Sequence, residues 1–114
     1  MSYDIAVWVG IRPADDEEAD DRYEELMEIL EEDEETPPSA AIVAYAQALT
    51  QRFPDEPDAP GNPWRSGPIL ADAVGDILTV NIDFERADEV VSYMGQLAAE
   101  HGLVCYDPQE GVLR

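Results

Sequence analysis

Lysine is absent from this chain of 114 residues, and histidine and cysteine occur once each, as His101 and Cys105. A lone cysteine closes no internal disulfide, so nothing points to an oxidising compartment. One histidine and one cysteine are too few for a transition-metal site, which wants several such ligands at short spacing. Nucleophilic catalysis needs an activated serine, cysteine or lysine beside a base. Lysine is missing, and Cys105 lies in a strand-like run where a cysteine serves as a small buried hydrophobe. His101 falls at the expected end of a helix, where capping or packing explains it. The glycines are scattered, so no phosphate-cradling loop is visible. The acidic run Asp55-Glu56-Pro57-Asp58-Ala59-Pro60-Gly61 misses EF-hand spacing and carries prolines where liganding backbone is needed. No cofactor and no metal are expected. Carboxylates are so abundant that choosing any pair of them as a hydrolytic centre would be arbitrary.

Long apolar runs are absent too. None approaches the ~20 residues of a membrane span, and Met1-Ser2-Tyr3-Asp4 shows neither the basic nor the apolar part of a secretory signal. A cytoplasmic protein is expected. Positive charge is scarce: six arginines stand against 27 acidic residues, a net charge of −21. Such a chain repels nucleic acid and anionic membranes, which bind through positive patches, and it favours cationic partners. Adaptation to a high-salt cytoplasm and a GC-rich genome would produce much of the same composition, and that alternative stays open. With 45% hydrophobic residues the chain has the means to build one core, and residues 1–114 read as a single domain.

The negative charge is concentrated. Fourteen of the twenty-one residues from Asp15 to Glu35 are acidic and one, Arg22, is basic, a local charge of −13. Within that run Ala19, Tyr23, Leu26, Met27 and Leu30 recur on a 3.6-residue period. The spacing predicts a packed amphipathic helix with a carboxylate outer face, capped by Asp15 or Asp16. Its far end, Glu31 to Glu35, sets negative charge against the negative end of the helix dipole and is expected to fray at low ionic strength.

Ahead of this helix, Tyr3 to Val9 reads as a strand, with Tyr3, Ile5, Val7 and Val9 on one face and Asp4, Ala6 and Trp8 on the other. After Pro37-Pro38, Ser39 is placed to cap a second helix running to about Arg52, with Ile42, Ala46, Leu49 and Phe53 inward. Residues 54–68, punctuated by Pro54, Pro57, Pro60, Pro63 and Pro68, form a long loop containing Trp64. A hairpin is then expected, Ile69 to Ala73 and Ile77 to Ile82, turning at Gly75-Asp76. A third helix starts near Asp83 to Arg86, carries Val90, Val91, Met94, Leu97 and Ala98, and stops at Gly102. Leu103 to Tyr106 is the last strand, followed by a turn and a short tail.

The order β-α-α-β-β-α-β predicts an α+β fold, a ferredoxin-like sandwich whose antiparallel sheet carries its helices on one face. The other face would be open to solvent or a partner. Trp8, Asn81 and Tyr106 would project from it, with Trp64 and Arg65 nearby on the loop. Trp, Tyr and Arg are the residue types most enriched in interface hot spots. Alternatively, Trp8 and Trp64 simply cover each other.

Met1-Ser2-Tyr3-Asp4-Ile5-Ala6-Val7-Trp8, Pro63-Trp64-Arg65-Ser66-Gly67-Pro68 and Gly102-Leu103-Val104-Cys105-Tyr106-Asp107-Pro108-Gln109 together resemble small acidic proteins common in actinobacteria. Those proteins are associated with the immunity proteins of polymorphic, contact-dependent toxin systems. The resemblance implies a small non-enzymatic domain that plugs the active site of a cognate basic toxin. Under this reading Asp16, Glu17, Asp20, Glu24, Glu28 and Glu31 steer a basic protein partner, and Trp8, Trp64, Arg65, Asn81 and Tyr106 provide contacts. Two other readings remain: a housekeeping domain whose acidity is salt adaptation, and a small-ligand or enzymatic domain using the Trp64 loop.

Overall fold

In a computed structural model, residues 2–33, 35–56, 58, 60–65 and 68–114 are described. Glu34 of the acidic run, and Pro57, Ala59, Ser66 and Gly67 of the proline-rich loop, lie outside them. The elements in chain order are β1 (Ser2–Val9), α1 (Asp16–Glu32), α2 (Ala40–Arg52), β2 (Ile77–Asp83), α3 (Ala87–His101), β3 (Leu103–Asp107) and β4 (Val112–Leu113). The fold is α+β, a four-stranded antiparallel sheet with three helices, and its Cα radius of gyration is 13.0 Å.

β1 is central. It pairs with β2 from Ser2↔Asp83 to Trp8↔Ile77 and with β3 from Ala6↔Tyr106 to Val9↔Leu103, giving the sheet order β2-β1-β3-β4. Because β2 and β3 both run antiparallel to β1, they are parallel to each other, and α3 makes the crossover between them. The period-two pattern of β1 sets the two faces. Ile5 and Val7 enter a core shared with Ile42, Tyr45 and Leu49 of α2 and Val90, Met94 and Leu97 of α3. Ala6 and Trp8 enter a second core with Ile77, Val104, Tyr106 and, from α1, Ala19 and Leu26.

Helices therefore cover both faces, not one. The sequence itself supplies the reason, since β1 is apolar on both sides and every residue of β3 is buried. Such strands need cover above and below. α1 supplies the second cover and fills the face expected to be open.

The expected strand from Ile69 to Ala73 is instead a 3-10 turn, Ile69–Asp72, in which only Ile69 is deeply buried. The outer edge of β2, where a hairpin partner would pair, is occupied by the proline-rich loop. Trp64 bridges Ile82, Arg65 N donates to Asn81 O at 2.9 Å, and Asp83 N donates to Pro63 O at 2.7 Å. The hairpin shrinks to one bridge, Val74↔Ile77, around Gly75 at φ +55°.

The helix ends follow their capping residues. Asp15 accepts from Glu18 N at 2.8 Å, Ser39 accepts from Ile42 N at 3.4 Å, and Gly102 closes α3 at φ +69°. α3 begins at Ala87 after a 3-10 turn, Phe84–Arg86, and the tail beyond the last turn adds β4 beside β3.

Candidate functional site

Helix periodicity divides α1 into three sectors, at about 100° per residue. Ala19, Tyr23, Leu26, Met27 and Leu30 share the inward sector, where Ala19 and Leu26 are buried and the others half-buried. Asp16, Glu17, Asp20, Glu24, Glu28 and Glu31 fall within an arc of about 120° beside it. Glu18, Asp21, Glu25 and Glu32 extend the same arc, and all ten carboxylates are exposed. Arg22 and Ile29 share the remaining flank. Arg22 pairs with Glu25 at 2.9 Å, but both side chains are solvated, so the pair contributes at most about 1 kcal/mol.

The helix is fixed to the sheet by apolar contact and by its own carboxylates. Tyr106 Oη donates to Asp20 Oδ1 at 2.7 Å, and Leu113 N donates to Asp16 Oδ1 at 2.9 Å. The Tyr106 ring lies 5.4 Å from Tyr23 and 6.1 Å from Trp8, in tilted arrangements. Burial first, and the Asp20 hydrogen bond second, push the Tyr106 phenol well above its ordinary range. Asp16 and Asp20 thus position the face as well as belonging to it. At the other end, Asp33 accepts from Glu35 N at 3.0 Å and Thr36 N at 3.1 Å, stopping the helix at Glu32.

The aromatic contacts expected on the surface are in the core. Trp8 is 1% exposed, Tyr106 0% and Trp64 7%. Trp8 and Tyr106 are covered by α1, whereas Trp64 packs in the core on the other side of the sheet, donating from Nε1 to Phe53 O at 2.8 Å. The two tryptophans therefore do not cover each other, and the Trp64 indole fills the core instead of lining a loop pocket. Asn81 is half-buried and stands opposite Asp4 in the β1–β2 register. Arg65 is exposed on the outer edge of β2, joined to Asn81 through the backbone. Neither joins the carboxylate arc.

One exposed apolar residue escaped the sequence reading. Ile11, in the loop between β1 and α1, is 94% exposed. It borders a recess of about 460 Å3 together with Trp8, Glu18, Asp21 and the paired Arg22 and Glu25. The only sequence signal was an isoleucine next to Gly10, outside any periodic run.

Burial pushes the Cys105 thiol up to about 12, with the Asp107 charge adding to the shift. His101 is exposed and stands edge-on to Tyr45 at 5.7 Å. Among the described residues no group of three or more His, Cys, Asp or Glu is placed to hold a metal ion. No described helix is long and apolar enough to cross a membrane. Compared with known proteins, the chain matches no family model, no curated protein and no solved structure.

Proposed function

We propose that this is a non-enzymatic cytoplasmic module that binds and neutralises a cationic protein through the carboxylate face of α1. A cognate toxin domain is the partner class that the immunity-protein resemblance favours. The frame beneath is read as a ferredoxin-like variant, on the strength of the split β2-α3-β3 crossover with β1 between its strands. The observation that carries the proposal is the packing of α1. Ten exposed carboxylates are held on one ordered helix, and two of them are tied to the sheet. A preformed charged face steers association without ordering a disordered segment at the moment of binding.

The recess beside Ile11 supports this reading, because it offers what the buried aromatics no longer do. A lysine or arginine of the partner lays its apolar stem on Ile11 while its head pairs with Glu18 or Asp21, the carboxylates of the recess that Arg22 does not hold. Solvent adaptation, the rival account of the acidity, places charge evenly over the surface. Here fourteen of the 27 acidic residues lie in one stretch of twenty-one.

The test uses association kinetics. With a basic partner captured from the source lysate, Glu24→Gln, Glu28→Gln and Glu31→Gln combined lower the on-rate about tenfold at low salt and leave the off-rate nearly unchanged. Ile11→Ala raises the off-rate instead. An on-rate indifferent to the triple substitution removes the steering role.

A further inference from the structure

Two of the large apolar side chains left exposed among the described residues, Ile11 and Ile29, stand along one flank of α1. Ile11 borders the recess already described, and Ile29, 44% exposed, borders a second one of about 210 Å3. Trp8 and Arg22 belong to the walls of both, so the recesses adjoin. Arg22 is paired with Glu25, which leaves the place where they meet neutral. The charges still open along this flank are carboxylates. Glu18 and Asp21 border the first recess and Asp76 the second; all three are exposed, and none is in an ion pair among the described residues.

The second recess is preformed. Buried Trp8, Leu26 and Ile77 give it apolar walls, and the turn over residues 74–77 closes one side. That turn is fastened in three places: Val9 N donates to Asp76 O at 3.0 Å, Gly75 N to Thr36 O at 3.2 Å, and Ser39 N to Gly75 O at 2.7 Å. On the helix side Asp33 and Thr36 are bonded to each other, so their polar atoms are engaged. What remains for an occupant is an apolar pit with a carboxylate, Asp76, at its rim. Walls held in this way need little ordering when something binds.

We propose, resting on the reading of α1 as the surface for a cationic protein, that the partner presents a short basic segment here with one large apolar residue seated beside Ile29. Size selects a side chain over a free ligand, because the 210 Å3 of this recess falls below the roughly 300–1,000 Å3 of ordinary small-molecule sites. Charge selects basic neighbours for that residue, which meet Asp76 on one side and Glu18 or Asp21 on the other. Asp21 lies eight residues before Ile29, about 12 Å along the helix axis. An extended chain covers that distance in about four residues. A lysine or arginine that far from the apolar residue therefore reaches the first recess, its stem on Ile11.

The test is a chemical-shift titration of the nitrogen-15-labelled full chain with the peptide acetyl-Arg-Arg-Gly-Ser-Leu-Ser-Gly-Arg-Arg-amide and with the same peptide carrying alanine for leucine. The arginines flank the leucine symmetrically, so either chain direction fits. The expected result is saturable shifts at the Ile11, Ile29, Gly75 and Asp76 amides with the leucine peptide, and binding about tenfold weaker for the alanine peptide. Ile29→Ser, an exposed change that keeps the circular dichroism spectrum, removes most of that difference. Glu24→Gln, Glu28→Gln and Glu31→Gln combined weaken both peptides alike, by about threefold, and leave the difference intact. Equal binding of the two peptides or none, shifts that miss Gly75 and Asp76, or a leucine preference undiminished by Ile29→Ser would each overturn the proposal. A leucine preference that persists while the triple variant binds both peptides as tightly as the wild type upholds the recess and counts against the carboxylate face instead.

Discussion

At the scale of single residues, Asp107 is the polar keystone of the fold. It is fully buried and accepts from the Tyr3 hydroxyl, from the Arg114 guanidinium, and from the backbone of Gln109 at 3.1 Å and Glu110 at 3.2 Å. One carboxylate therefore joins the start of β1, the turn after β3 and the residue after β4. Asp107→Asn keeps the shape but loses the charge, and is expected to lower stability by about 2 kcal/mol in urea unfolding. Alkaline pH probes the same region. Burial, then the hydrogen bond to Asp107, pushes the Tyr3 phenol up to about 12, whereas an unfolded tyrosine ionises near 10. The folded state keeps this proton longer. Its contribution is therefore intact below about pH 10 and lost as pH rises toward 12. A tyrosinate absorbance titration is expected to show ionisation coinciding with unfolding in that window. Cys105 follows the same logic, and its thiol should react with alkylating agents only as the protein unfolds. None of this was legible in the sequence. Asp107 read as the first residue of a turn, and its burial depends on Tyr3 and Arg114, more than a hundred residues apart in sequence.

At the scale of elements, α1 shows most directly how sequence pattern and structure correspond. Its apolar period, a cap at Asp15 or Asp16 and its acidic outer face were all legible, because each is a local property of the run itself, and the structure selects Asp15 as the cap. Its destination was not. Nothing local says which sheet face a helix covers, and the apolar second face of β1, Ala6 and Trp8, which suits an open surface as well as a core, marks a second core. The strand assigned to Ile69–Ala73 failed for a related reason. Its composition suits a strand, but the edge it needed is held by Pro63, Trp64 and Arg65. The carboxylates of α1 also repel one another. Glu24, Glu28 and Glu31 are neighbours at i, i+4 and i+7, and like-charge neighbours cost about 0.2–0.5 kcal/mol each. Combined replacement of the three by Gln is expected to raise the melting temperature by about 4 °C in dilute buffer. The gain should vanish near 1 M salt, where screening acts within about 3 Å. A variant that gains nothing at low salt would show that the face carries no internal strain.

At the scale of the whole molecule, the densest run of charge is displayed by one helix. α1 presents its carboxylates on one side of the sheet, and α3 packs on the other. The sequence made the excess charge plain, but only the packing of α1 makes it a surface. The candidate anchors Trp8, Trp64 and Tyr106 were misplaced because a tryptophan or tyrosine is as well suited to a core as to an interface. Ile11, which carried no pattern, is with Ile29 one of the exposed apolar residues at the acidic edge. The measurement closest to the central claim is a paired capture. The wild-type chain and the Glu24→Gln, Glu28→Gln, Glu31→Gln variant are immobilised side by side and exposed to source lysate at moderate salt. The account predicts one basic protein retained by the wild type, largely lost from the variant and released from the wild type as salt rises. The same proteins retained equally by both chains would contradict it.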